Sequence, residues 1–128
     1  MTSYPDIEIY LARCEIARLD AWLEQAIGAP PLTPAGKRKW RTLGRGDGGE
    51  VPVLVVENAA DGFASLWLDS AETPWASDSE CAREAARQLG CEVRCSLGGW
   101  QPGDDPDRFL QVEADGSERP IDWPDSGR

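Results

Sequence analysis

The stretch from Phe63 to Ser96 constrains the fold more than any other part of the chain. It reads as a strand, a helix and a second strand, and both helix ends are marked. Ser77 and Glu80 form an S-x-x-E capping box, in which the hydroxyl accepts from the N–H three residues on. Asp78 adds negative charge where the helix dipole favours it. Gly90 fits the left-handed position just past the last turn. Between these marks Cys81, Ala82, Ala85, Ala86 and Leu89 recur at helical spacing, and Glu80, Arg83, Glu84, Arg87 and Gln88 fall on the wet side. The buried stripe is made of small residues, so this helix can approach a sheet closely. On either side the period is two. Leu66 and Leu68 oppose Phe63, Ser65, Trp67 and Asp69, and Cys91, Val93, Cys95 and Leu97 oppose Glu92, Arg94 and Ser96.

The same reasoning extends outward from this stretch. Ile7, Ile9 and Leu11 alternate with Glu8, Tyr10 and Ala12, which predicts a strand over 6–12. Ile16, Leu19, Trp22, Leu23, Ala26 and Ile27 predict a helix over 14–27, ended by Gly28 and by Pro30 and Pro31. Residues 29–36 read as a proline-rich connection. A strand over 37–45 puts Trp40 and Thr42 on one face and Arg41 and Leu43 on the other. The GRGDGG run that follows reads as a hairpin turn. Val51–Glu57 is apolar almost without a break, which predicts a strand buried on both faces, with Pro52 at an edge or a bulge. Asp61-Gly62 marks the next corner. Residues 97–107 form a Gly/Pro/Asp loop. Strands are expected over 108–114 and 118–123, the last of them at a sheet edge.

The expected fold class is therefore α+β, a mixed or antiparallel sheet with two helices on one face. One domain covers 1–128. The halves 6–62 and 63–123 share an order of elements and end on similar phrases, VLVVENAADG and FLQVEADG, which suggests a tandem βαββ pseudo-repeat. A ferredoxin-like βαββαβ core with extra strands fits nearly the same assignments.

Charge and cysteine usage bound the function. The formal net charge is -10, which disfavours general binding to nucleic acid or to an anionic membrane and suits a basic protein partner. No apolar run approaches the roughly 18 residues of a membrane span, and the N-terminus lacks the pattern of a secretory signal. The expected location is the cytoplasm, where cysteines stay reduced. Arginine outnumbers lysine eleven to two, as in the coding of a GC-rich bacterial genome.

Chemistry is sparse. The chain has no histidine, which excludes Ser-His-Asp and Cys-His catalysis and histidine metal ligation. Cys14, Cys81, Cys91 and Cys95 form no C-x-x-C. Cys91 and Cys95, four apart on a strand, would sit about 13 Å apart, too far for a disulfide or a shared zinc. GRGDGG lacks the G-K-[ST] of a phosphate loop. The DDPD run at 104–107 lacks the spacing of a calcium loop and reads as a solvated acidic turn. No catalytic residue, metal site or cofactor is assigned.

Two clusters remain. Lys37, Arg38, Lys39, Arg41 and Arg45 surround Trp40, and the expectation is that they pair with the acidic loops or meet an anionic patch on a partner, more than nucleic acid. Six tryptophans in 128 residues is a high density. Trp67, Trp75 and Trp100 are expected to gather at one end of the sheet as a protein-interaction surface, with Arg94 beside them. The functional reading is a non-catalytic interaction module of the adaptor or inhibitor type. The alternative is a small-ligand pocket in which these aromatics surround Arg94 as an anion clamp. A homodimer through the edge strand Glu118–Trp123 is a further expectation.

Overall fold

The computed structural model describes residues 5–46, 48–97 and 107–124. Ten elements follow in chain order: β1 (Ile7–Leu11), α1 (Ile16–Ile27), β2 (Thr33–Gly36), β3 (Lys39–Arg45), β4 (Glu50–Ala60), β5 (Phe63–Leu68), α2 (Asp78–Leu89), β6 (Val93–Ser96), β7 (Arg108–Val112) and β8 (Glu118–Asp122). The strands form one sheet in the order β2-β3-β4-β5-β1-β6-β7-β8, and every pairing is antiparallel. The fold is α+β, an antiparallel sheet of eight strands and two helices.

Local sequence explains the helices. The Ser77 hydroxyl accepts from the Glu80 N–H at 3.4 Å, and Gly90 closes α2 in the left-handed region at φ 66°. Gly28 closes α1 the same way at φ 60°, its N–H bonding the Glu24 carbonyl. Each helix carries the chain between two strands that run in the same direction, which needs a crossover rather than a hairpin. α1 leads from the central β1 to the edge strand β2, and α2 from β5 to β6.

Both helices pack on one face of the sheet. The main core joins Ile7, Ile9 and Leu11 of β1, Val51, Val53 and Val55 of β4, Ala64, Leu66 and Leu68 of β5, and Val93 and Cys95 of β6 to the apolar faces of α1 and α2. Gly44 of β3 is required at its place. A Cβ there would lie 2.6 Å from Ile27 Cδ1 and 2.9 Å from the Ile27 carbonyl oxygen.

The opposite face carries no helix. Its alternate positions form a smaller cluster of Tyr10, Ala60, Phe63, Phe109 and Trp123 at one end. This face corrects the reading of β4. The VPVLVV run is buried on one side only: Val51, Val53 and Val55 are buried, Leu54 and Val56 are half-buried, and Pro52 is exposed. Pro52 lies inside a central strand. The Asp69 N–H bonds its carbonyl oxygen just beyond the last residue of β5. The missing N–H points the same way, toward Asp69, so the one ladder bond Pro52 forgoes is at the very end of the β4–β5 pairing.

Both halves run strand, helix, three strands, but they fill the sheet differently. After α1 the chain starts at the edge and works inward to β4. After α2 it starts beside the centre and works outward to β8. β2 lies within the stretch whose prolines suggest a connection, and TPAG has no alternation of polar and apolar residues to mark a strand. It pairs only with Lys39–Arg41 of β3. β8 lies at the sheet edge as expected, and Pro120 within it denies that edge one donor for pairing with a second chain.

Candidate functional site

The singled-out side chains do not form one site. Trp75 is 4% exposed and belongs to the helix-side core. Its ring lies 5.4 Å from that of Trp22 on α1. Its indole N–H donates to one oxygen of Glu84 at 3.2 Å, and Trp22 donates to the other at 2.8 Å. Glu84 thus leaves the wet side assigned to it and joins α1, α2 and the loop between β5 and α2. The loop turns inward at Trp75 because Thr73 caps it locally, its hydroxyl donating to the Trp75 carbonyl at 2.9 Å. Trp67 sits on the other face of the sheet, so these two indoles share no surface. Trp100 lies outside the described residues, as does most of the acidic run at 104–107.

Arg94 is on the open face, but its charge is engaged. Its guanidinium carbon lies 4.4 Å from the centre of the Phe63 ring and 4.7 Å from that of Trp123. Its Nε donates to Glu92 at 2.8 Å, and the same Glu92 oxygen accepts from Gln111 at 2.6 Å. Tyr10, Phe63 and Phe109 pack within 5.0–5.2 Å (Phe63, Phe109, Tyr10) of Trp123. The Trp123 indole N–H is buried with no partner among the described residues. A guanidinium lying over two touching rings and paired with a carboxylate is a structural plug for a small aromatic core. It is poorly placed to clamp an incoming anion.

The open space lies on the same face beyond β1. A groove of about 490 Å³ is lined by Thr33, Arg41, Thr42, Leu43, Pro52, Val53, Leu54, Trp67 and Asp69. Cross-strand register builds it. Leu54 of β4 stands opposite Arg41 of β3 on one side and Trp67 of β5 on the other, and Leu43 stands opposite Pro52. The indole of Trp67 is fixed by an N–H bond to Asp6 at 2.7 Å. Leu43 is 44% exposed in the middle of a strand.

The basic cluster divides by strand period. Trp40 turns to the helix side, packs on the main core and donates to Glu57 at 3.1 Å. Lys39, Arg41, Leu43 and Arg45 project from the open side of β3, all four exposed. The acidic loop at 97–107, one expected partner of this cluster, lies almost entirely outside the described residues. Among the described residues none of Lys37, Arg38, Lys39, Arg41 and Arg45 makes an ion pair; the cations that do are Arg83, Arg94 and Arg108.

The cysteines are free thiols, with Cys81, Cys91 and Cys95 buried and Cys14 half-buried. Burial pushes all four upward, Cys14 to about 11 and Cys95 to about 12. Thiols held protonated at neutral pH are poor nucleophiles and poor metal ligands. Among the described residues no group of histidine, cysteine, aspartate or glutamate is arranged to hold a metal ion, and no helix is long and apolar enough to cross a membrane. The sequence does not mark the groove: the apolar run of β4 reads as burial on both faces, and only the sheet order brings Trp67 alongside Leu54 and Leu43. Comparison with known proteins returns no matching family model, no matching curated protein and no matching solved structure.

Proposed function

We propose that the chain is a non-catalytic protein-interaction module whose docking surface is the open sheet face around Leu43, Leu54 and Trp67. One observation carries this reading. β4 has apolar side chains on both sides, and only one side is covered by helices. Leu54, Val56, Pro52 and Leu43 remain on a face that a layered domain would ordinarily cover. Apolar residues in the middle of strands, beside a half-buried tryptophan and rimmed by charge, match the make-up of an interface centre.

Native mass spectrometry of the gently purified protein tests this, comparing wild type with Leu43→Asp and with Arg119→Ala on the far strand β8. The expected result is an added protein mass that Leu43→Asp loses and Arg119→Ala keeps. A small-molecule mass with the same dependence would make the groove a ligand pocket. Partner masses that survive Leu43→Asp unchanged would overturn the docking surface.

A further inference from the structure

We infer that the segment docking on this face is acidic and extended, with an apolar side chain among its carboxylates. The inference rests on the docking reading above and gives it a partner chemistry. The net charge of -10 suggests a basic partner, but a partner meets local charge. Beyond about 8 Å at physiological salt, exposed charges are largely screened. Within that distance of the groove lie Arg41 itself and its neighbours on β3, none of them paired with a described carboxylate. The carboxylates of this face gather on its Trp67 side, where Asp69 lines the groove, Asp6 accepts from the Trp67 indole and Glu8 stands opposite Trp67; on the β3 side Glu50 stands opposite Arg45. The cationic row of β3 is therefore where an acidic segment would lie.

The spacing narrows the class. Alternate residues of a strand lie about 6.6 Å apart on one face. Lys39, Arg41, Leu43 and Arg45 therefore present cation, cation, leucine, cation along about 20 Å. An extended peptide has the same repeat. One lying along β3 can set carboxylates against Lys39, Arg41 and Arg45 and an aliphatic or aromatic side chain against Leu43, Leu54 and Trp67. The guanidiniums accept carboxylates in a two-pronged geometry. β2 pairs only with Lys39–Arg41, so no described strand covers the edge of β3 over residues 42–45. Single-stranded nucleic acid fits less well. It needs successive exposed rings for stacking. Here Trp40 faces the helices and Trp67 is the one ring in the groove lining.

Fluorescence anisotropy tests the inference with short labelled peptides that carry glutamate at alternate positions around one leucine. Matched peptides with glutamine or lysine in place of glutamate, and a single-stranded oligothymidylate, serve as comparisons. The acidic peptide is expected to bind best, and more weakly as salt rises. The double variant K39E/R41E should weaken it about tenfold, Arg119→Glu should leave it nearly unchanged, and Leu43→Asp should abolish it. Circular dichroism melting of each variant separates lost contact from lost fold. Equal binding of the glutamine or lysine peptide, still abolished by Leu43→Asp, would overturn the acidic class and leave the docking face standing. Tighter binding of the oligothymidylate would overturn it in favour of nucleic acid. A dimer in sedimentation that K39E/R41E dissociates would overturn it in favour of a second copy of this chain. No binding by any peptide would overturn it outright, with the docking face then judged by native mass spectrometry alone.

Discussion

Trp22 and Trp75 donate their indole N–H groups to the two oxygens of one carboxylate, Glu84, at 2.8 and 3.2 Å. The rings themselves lie 5.4 Å apart and are almost fully buried. The contact ties α1 to α2 through a residue on the loop that joins β5 to α2. Two buried donors depend on one acceptor group, so removing it leaves both unsatisfied.

Glu84→Ala is therefore expected to cost about 2–4 kcal/mol, the sum of two lost bonds to a charged acceptor and a small void. Glu84→Gln keeps one acceptor oxygen and should cost about half as much. Urea titration followed by tryptophan fluorescence measures both, and a loss below about 0.5 kcal/mol for Glu84→Ala would show that the indoles find other partners.

Gly44 has a different role from the glycines in turns. Its backbone is an ordinary strand, and space is what it supplies, because α1 ends against it at Ile27. Gly44→Ala places a methyl group 2.6 Å from the Ile27 side chain and 2.9 Å from its backbone oxygen. The side chain can turn aside and the carbonyl cannot. A loss of about 1–3 kcal/mol follows, read as a lower urea midpoint at unchanged slope. Gly49→Ala, with nothing within 4 Å of its added carbon, should be close to neutral.

Asp78 gives a pH dependence of defined sign. Burial raises its carboxyl from the ordinary 3.8 to about 6, and the nearby charges of Asp6 and Glu8 add to the effect while the bond from the Glu8 N–H opposes it. Between about pH 4 and about pH 6 the folded chain holds a proton that the unfolded chain has released, so this group's contribution to stability falls as pH rises through that window and is level above it. Asp78→Asn keeps an acceptor for the Glu8 N–H and cannot titrate. Its stability relative to wild type should rise by about 1 kcal/mol between about pH 4 and about pH 7.5, a figure reduced for the partial exposure of the site. Urea midpoints at the two pH values test it, and a constant difference would remove Asp78 from the linkage.

The helices and most strand faces were legible in sequence because their signals are local. Ser77, Gly28 and Gly90 act within one turn, and the Asp61-Gly62 corner, at φ 51° and 83°, acts within two residues. Three things were not legible. β2 has no alternation to read, since it is held only by β3. The burial of Trp75 and Glu84 depends on where α1 crosses the sheet, and that is a long-range property. β4 was expected to be covered on both sides because an apolar run reports only that its side chains are apolar. Which side meets a helix is decided by the two crossovers, and the uncovered side is where Leu54 and Trp67 form the groove.

Arg94 tests whether the aromatic end of the open face is structural. Its guanidinium lies over the rings of Phe63 and Trp123 and bonds Glu92, so charge, plane and hydrogen bond all act in one place. Arg94→Ala should cost about 1.5–3 kcal/mol: a stacked cation contributes about 0.5–2 kcal/mol, and Glu92 loses a partner as well. Lysine retains the charge without the plane, so Arg94→Lys should recover less than half of that loss. The same variants should leave binding at Leu43 within about twofold of wild type, because Ser65 and Tyr10 separate Arg94 from the groove in the cross-strand row. Thermal melting gives the first quantity and peptide anisotropy the second. A variant that melts normally yet loses binding would move the functional surface from Trp67 to the aromatic end.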